Sequence, residues 1–287
     1  MGNGRKIPYL HIVLFILTFL STLSAGALQQ GINIIKSPGR IVEGLPFALT
    51  LMAILLCHEL AHYMISRKNH TVATLPYFIP APSIFGTFGA FIKMKSPILT
   101  RKALIEIGAS GPIAGFIISV AACIIGLHLS KVIMLPQGEG ALSLGDSLLF
   151  SFLSRVILGA TPEHYDILLH PVAFAGWIGL FVTSLNLIPI GQLDGGHICY
   201  AILGERHRYV SRFLVALLAI LGVSSLLGFS GWEGWLVWAI LMLVLGIKHP
   251  PVLYWEAPLD PARRTIGLLT LVIFIITFIP EPFKVSL

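Results

Sequence analysis

At 287 residues, with 56% hydrophobic and only 11% charged side chains, the chain carries less than half of the roughly 25% charge of an average soluble domain. That composition excludes an ordinary soluble fold and points to a protein that crosses a membrane several times. The net charge of +6 gives no argument for nucleic acid, because in such a chain the distribution of Lys and Arg over the loops is what matters.

The first eight residues are short and basic, with Arg5 and Lys6, and 9–28 is an uncharged apolar run long enough to span. Ala25-Gly26-Ala27 could mimic a signal-peptidase site, but the run is longer than a usual signal core and is expected to stay as an anchor. A second run, 44–66, has Glu59 as its only charged side chain and carries His58-Glu59-Leu60-Ala61-His62 near its end. Positions four apart share a helix face, so His58 and His62 can offer nitrogens to one metal ion. Glu59, beside the first, can reach a water on that ion. This is the zinc-hydrolase pattern: two His ligate Zn²⁺, and a Glu takes a proton from the water that the ion acidifies. Two histidines and a carboxylate capping a core helix are the alternative. In a membrane span that alternative is expensive, since ionisable groups there are rare and usually functional.

The 67–102 segment contains six Lys/Arg and no acid, and Pro76, Pro80, Pro82 and Pro97 break any long helix. Within it, 84–94 is apolar and aromatic with Gly86 and Gly89 three apart. It is expected to be an extended or hairpin segment dipping into the membrane, shielded by protein or cavity water; an ordinary interfacial hairpin is the alternative. The third span is 103–129, where Gly108 to Gly115 permits close helix approach and Pro112 should bend the helix. A loop, 130–170, holds a short interfacial piece at 148–158. The fourth span, 171–194, is loosened from Asn186 through Pro189 to Gly191. Further spans follow at 212–229, 235–247 and 265–279. The three cysteines, Cys57, Cys123 and Cys199, show neither metal nor disulfide spacing and are expected to be small packing residues.

The expected fold class is an all-α polytopic membrane protein of about seven transmembrane helices (six to eight) with a re-entrant, β-hairpin-like segment around 84–94. The expected regions are an N-terminal span and loop (1–43), a catalytic membrane core (44–200) and C-terminal spans (201–287), with no PDZ or other soluble domain. A cytoplasmic N-terminus places fourteen of the 19 Lys/Arg inside and five outside, a clear positive-inside bias. His58, His62 and Asp194 then fall toward the cytoplasmic ends of spans two and four. Zinc needs a third protein ligand and an open position. Asp194, after a loosened turn and before Gly195-Gly196, is preferred to Glu106. His197 is expected behind the ligands or at an interface rather than on the metal, and His70, His128, His164, His170, His207 and His249 in loops or interfaces. Asn186 can donate to a developing oxyanion, position an extended peptide, or satisfy backbone groups freed around Pro189; these options stand side by side.

His58-Glu59-x-x-His62 together with Asn186-x-x-Pro189-x-x-x-x-Asp194-Gly195 resembles the paired signature of the site-two proteases, intramembrane zinc metalloproteases, over about residues 45–200. The compact, PDZ-less branch is the nearest likeness. The resemblance implies one Zn²⁺ held by His58, His62 and Asp194, Glu59 as general base, and Asn186 holding substrate or the tetrahedral intermediate. It further implies a substrate site at Gly86, Phe88, Gly89, Asn186 and Pro189, with the hairpin offering a strand edge to an unwound substrate. The implied substrate is a single-span membrane protein such as an anti-sigma factor or a membrane-tethered transcription regulator, in a bacterial inner membrane. The oligomeric state is left open. A zinc-binding transporter would need ionisable residues strung along a route, and a catalytically silent membrane chaperone would not need Glu59.

Overall fold

The computed structural model of the chain describes residues 8–134, 142–160, 165–255 and 258–285; Arg5, Lys6 and His164 lie outside them. It is mostly helical. In chain order come α1 (Tyr9–Gln29), α2 (Leu45–Lys68), a hairpin of β1 (Tyr77–Pro80) and β2 (Thr87–Phe91), and α3 (Arg101–Leu129). Next are β3 (Lys131–Met134), β4 (Leu142–Leu144), α4 (Leu148–Leu158), β5 (Tyr165–Leu168) and α5 (Pro171–Asn186). The chain closes with α6 (Asp194–Leu203), α7 (His207–Leu226), α8 (Gly234–Leu245), α9 (Pro261–Thr277) and β6 (Phe283–Val285). Among the described residues four helical stretches are long and apolar enough to cross a membrane: Tyr9–Gln29, Pro38–Lys68, Arg101–Leu129 and Asp194–Leu226. Helices α4, α5 and α8 are apolar but shorter.

The centre is built on α3. Its residues 111, 115, 119 and 123 recur every four positions and are Gly, Gly, Ser and Cys, so they form one low ridge. A Cβ at Gly111 would run into the His62 ring of α2, and one at Gly115 would lie 3.1 Å from His58 Nδ1. Farther along, α5 takes over: Gly179 lies against Ser119, Gly176 against Cys123, and Gly126 against the Ala173 backbone. Small residues let helix backbones approach where lipid supplies no hydrophobic drive for helix association. Around this contact Phe47, Leu51, Trp177 and Leu180 are wholly buried, and Trp177 Nε1 donates to the Gly145 carbonyl at 2.8 Å. Cys57, Cys123 and Cys199 are free thiols.

Two expectations need correcting. The hairpin begins at Tyr77, not near 84: β1 pairs antiparallel with β2, Tyr77 opposite Phe91 and Phe78 opposite Ala90. Pro76 and Pro80 keep the segment from forming a helix and stand at the ends of β1, since prolines are tolerated at strand ends and at irregular pairing, and the register shifts between Phe78 and Pro80. The fourth span does not run to Asp194. Helix α5 stops at Asn186, residues 187–193 leave the helix around Pro189, and Asp194 opens α6.

The hairpin is clamped on α1: Ser21 Oγ donates to the Gly86 carbonyl at 2.6 Å and Gln29 Nε2 to the Ile84 carbonyl at 2.6 Å. At the other side of the molecule Arg263 of α9 bonds Glu106 of α3 through Nε at 3.0 Å and through Nη2, while Asn69 Nδ2 donates to the same carboxylate at 3.0 Å. Gly126→Val would drive a branched side chain into the Ala173 backbone. It should cost about 1–3 kcal/mol of stability by overpacking, read as a lowered thermal-unfolding midpoint in detergent; an unchanged midpoint would contradict the α3–α5 contact.

Candidate metal centre

Helix α2 carries His58 and His62 one turn apart on the face turned to α3, and the first turn of α6 brings Asp194 to them. His62 Nε2 lies 3.0 Å from His58 Nε2 and 3.2 Å from Asp194 Oδ2, and His58 Nε2 lies 3.3 Å from the same oxygen. Tetrahedral ligands at zinc bond lengths stand roughly 3.3 Å apart, so the triangle fits the edge of a zinc site. The donor chemistry fits as well. His62 Nδ1 is 2.8 Å from the Ile107 carbonyl, which can only accept, so Nδ1 carries the proton and Nε2 turns its lone pair inward. Among the described residues this is the one group of three His, Cys, Asp or Glu able to hold a metal ion.

Glycines make the geometry possible. Gly111 is the sole residue type that clears the His62 ring. A Cβ at Gly195 would strike the Leu187 carbonyl, and one at Gly196 would sit 2.7 Å from the Ile190 carbonyl. The loop after α5 can therefore fold back onto the first turn of α6, whose amide dipoles favour the Asp194 carboxylate.

Glu59, 6% exposed, lines the same cavity of about 420 Å³ as the three candidate ligands and Ile92. Asn186, the last residue of α5, points Nδ2 at His58 Nε2 from 3.5 Å. The hairpin wall of the cavity is Ala90 to Met94. Of the substrate residues expected from sequence, Asn186 lines this cavity, whereas Gly86, Phe88, Gly89 and Pro189 do not. Gly86, at φ +74°, is packed on α1 where a Cβ would strike the Ser21 carbonyl, and Phe88 is 74% exposed on the outer face. Pro189 lines a larger apolar cavity of about 650 Å³ between α6 and α9, which holds none of the candidate ligands.

Glu106, the rival ligand, is engaged by Arg263 and Asn69 and stands outside the triangle. His197 lines the cavity and is outside the candidate ligand group. What the sequence did not indicate is its partner: His249, from the loop after α8, sits 2.6 Å from His197 Nδ1. No spacing links positions 197 and 249, so only the fold could pair them. Gly111→Ala should push the His62 ring off the triangle and weaken zinc binding about tenfold or more. Zinc content after graded dialysis against a chelator checks this, and undiminished retention would contradict the close approach.

Comparison with known proteins supports the same chemistry. The chain is 33% identical over 221 residues to "Probable zinc metalloprotease EGY1, chloroplastic" of Arabidopsis thaliana, covering 68% of this chain and 39% of that protein. It is 34% identical over 171 residues to "Probable zinc metalloprotease EGY2, chloroplastic" of the same plant, covering 57% and 30%. A 125-residue stretch, 42% of this chain, is 37% identical to 7% of "DDT domain-containing protein PTM", also of Arabidopsis thaliana. The chain thus spans less than two-fifths of the length of each of these relatives, and no solved structure matches it. The model of Peptidase family M50 matches residues 46–229, a stretch that begins in α2 and contains both halves of the metal triangle, and the chain belongs to that family, the site-two proteases.

Proposed function

We propose that this integral membrane protein hydrolyses a peptide bond in or near the transmembrane segment of a single-span membrane protein. The observation that carries the reading is the convergence of His58, His62, Asp194 and Glu59 on one cavity walled by Ala90 to Met94. A zinc ion held by His58, His62 and Asp194 would supply Lewis acidity and lower the pKa of a water. Glu59 is the general base: it takes the proton of the attacking water and passes it to the leaving amine. Asn186 donates from Nδ2 to the oxyanion that develops on the scissile carbonyl. Its side-chain amide is turned to His58 and not to the backbone freed around Pro189, which favours the oxyanion role over local repair.

A substrate helix hides its carbonyls in its own hydrogen bonds, and each backbone group freed in lipid costs several kcal/mol, roughly. Strand β2, with the residues just after it, offers a main-chain edge beside the metal triangle. On this proposal the unwound substrate pairs there by strand addition, and Gly89, at φ +95°, shapes the strand, while Gly86 sets its distance from α1 and the exposed Phe88 anchors it in the bilayer. We read the hairpin as re-entrant. Helices α5, α8 and α9 join the four longer stretches to make seven spans, with 44–200 as the catalytic core between the 1–43 and 201–287 regions. The N-terminus and the site lie toward the Lys/Arg-rich, cytoplasmic side. A single-span regulator, such as an anti-sigma factor or a membrane-tethered transcription regulator, remains the substrate class implied by the family resemblance. The bacterial inner membrane has no support from the relatives, two of which carry "chloroplastic" in their names. A transporter would need further ligating groups along a route; among the described residues they gather in one cluster.

Glu59→Gln should lower cleavage of a single-span model substrate by about 10²–10⁴-fold with one zinc per chain retained. Undiminished cleavage by the purified variant would remove Glu59 from its role. Substrates carrying N-methyl amides at alternate positions around the cut should be cleaved about tenfold more slowly, since each lost strand hydrogen bond weakens the pairing by about 0.5–1.5 kcal/mol. Equal cleavage of methylated and plain substrates would count against strand addition.

A further inference from the structure

The His197–His249 pair is used by none of the chemistry above, and its bonding fixes the protonation of both rings. His249 Nδ1 lies 2.6 Å from the Pro250 carbonyl. A carbonyl only accepts, so Nδ1 of His249 carries a hydrogen and its Nε2 offers a lone pair. That Nε2 is 2.6 Å from His197 Nδ1, which must be the donor. A neutral His197 then has a bare Nε2. Burial first, and the neighbouring His197 and His207 next, hold the His249 pKa down at about 3, so that ring is neutral at working pH and its Nε2 is free to accept.

The pair is held by a strap. After α8 the chain turns at Gly246, whose carbonyl touches Gly191, and runs across α6. His249 stacks on Tyr200 with ring centres 4.3 Å apart at 14°. Beyond it, Tyr254 N–H donates to the Leu99 carbonyl at 2.9 Å, and the Arg101 guanidinium lies 4.4 Å over the Trp255 ring. His197 and Tyr200 are three residues apart on α6, so one imidazole from the strap meets both. Among the described residues the Nε2 of His197 has no protein partner, and it is not among the enclosed, unsatisfied atoms; the ring lines the cavity of Glu59 and Asn186.

A peptide paired with β2 on one edge leaves the amides of its other edge to be satisfied, and a buried backbone N–H without a partner is costly. We propose that His197 accepts a hydrogen bond at Nε2 from a backbone N–H of the bound substrate, and that His249 is the positioning residue that locks His197 in the tautomer able to do so. The proposal rests on the protease reading and deepens it.

The test uses the full chain in detergent with a labelled single-span model substrate, in the Glu59→Gln background so that binding is read without turnover. His249→Met removes the acceptor for His197 Nδ1, and His249→Gln keeps an amide oxygen near the same place. Expected are about three- to tenfold weaker binding for His249→Met, recovery to within about twofold for His249→Gln, and unchanged zinc content in both. Histidine ¹⁵N spectra, assigned through His197→Gln, should show the bare Nε2 in the parent chain and a tautomer mixture in His249→Met. Equal loss in the Met and Gln variants, loss that follows zinc content, or unaltered binding in His249→Met would overturn the proposal. A chain that neither cleaves nor binds the substrate brings down the protease reading together with the contact; a protonated His197 Nε2 overturns the present proposal alone.

Discussion

Close approach along α3 is the constraint on which the rest of this structure depends. A Cβ added at Gly108 of that helix would meet the Asp194 carbonyl and the His197 Cβ of α6 at 3.0 Å, while Gly111 and Gly115 face the two histidines of α2, and Ser119, Cys123 and Gly126 face α5. One helix thus sets the spacing of three others. A bilayer gives apolar side chains little reason to leave lipid for one another, so contact must come from backbones that pack closely and from polar groups that find partners. The low ridge supplies the first. The Ile107 carbonyl, accepting from His62 Nδ1, supplies part of the second, and it joins helix packing to ligand orientation because one turn of α3 does both.

The second element is a helix that stops early. Had α5 continued through Pro189, Asp194 would have risen two turns along the same rod, carried away from α2. The break lets 187–193 double back, Gly195 and Gly196 leave room for its carbonyls, and the chain re-enters a helix with the carboxylate at its amino end. Unwound backbone is tolerable here because most of it is enclosed by protein and it borders the cavity of the metal triangle. The same enclosure buries His58, Glu59 and His62 while the β1–β2 hairpin and the residues after it wall one side of their cavity.

The hairpin lines the cavity directly, and the strap after α8 backs it through the His249–His197 contact. One is clamped to α1 through Ser21 and Gln29, the other to the start of α3 through Leu99 and Arg101. Peripheral helices therefore have a task beyond filling the membrane: they hold the walls against a core whose own geometry is set by α2, α3, α5 and α6. The Arg263–Glu106 pair fixes α9 to that core on the side where the larger apolar cavity lies.

Residue type and spacing determined the composition class, the first three long helices to within two residues at their ends, and the three residues, His58, His62 and Asp194, that the fold gathers into one candidate metal site. These are local properties: apolar run length sets a span, and the four-residue repeat of His58 and His62 sets a shared face. Gly86 and Phe88 show the limit. Their glycine-aromatic pattern marked the hairpin, yet which side met the cavity depended on α1 claiming Gly86, and the cavity wall became Ala90 to Met94. Pairing of His197 with His249, engagement of Glu106 by Arg263, and the assignment of Asp194 to a new helix were likewise decided by tertiary structure alone. Each depends on segments far apart in sequence meeting in a packed interior, and such meetings are set by how helix backbones fit together, which no single stretch of chain encodes.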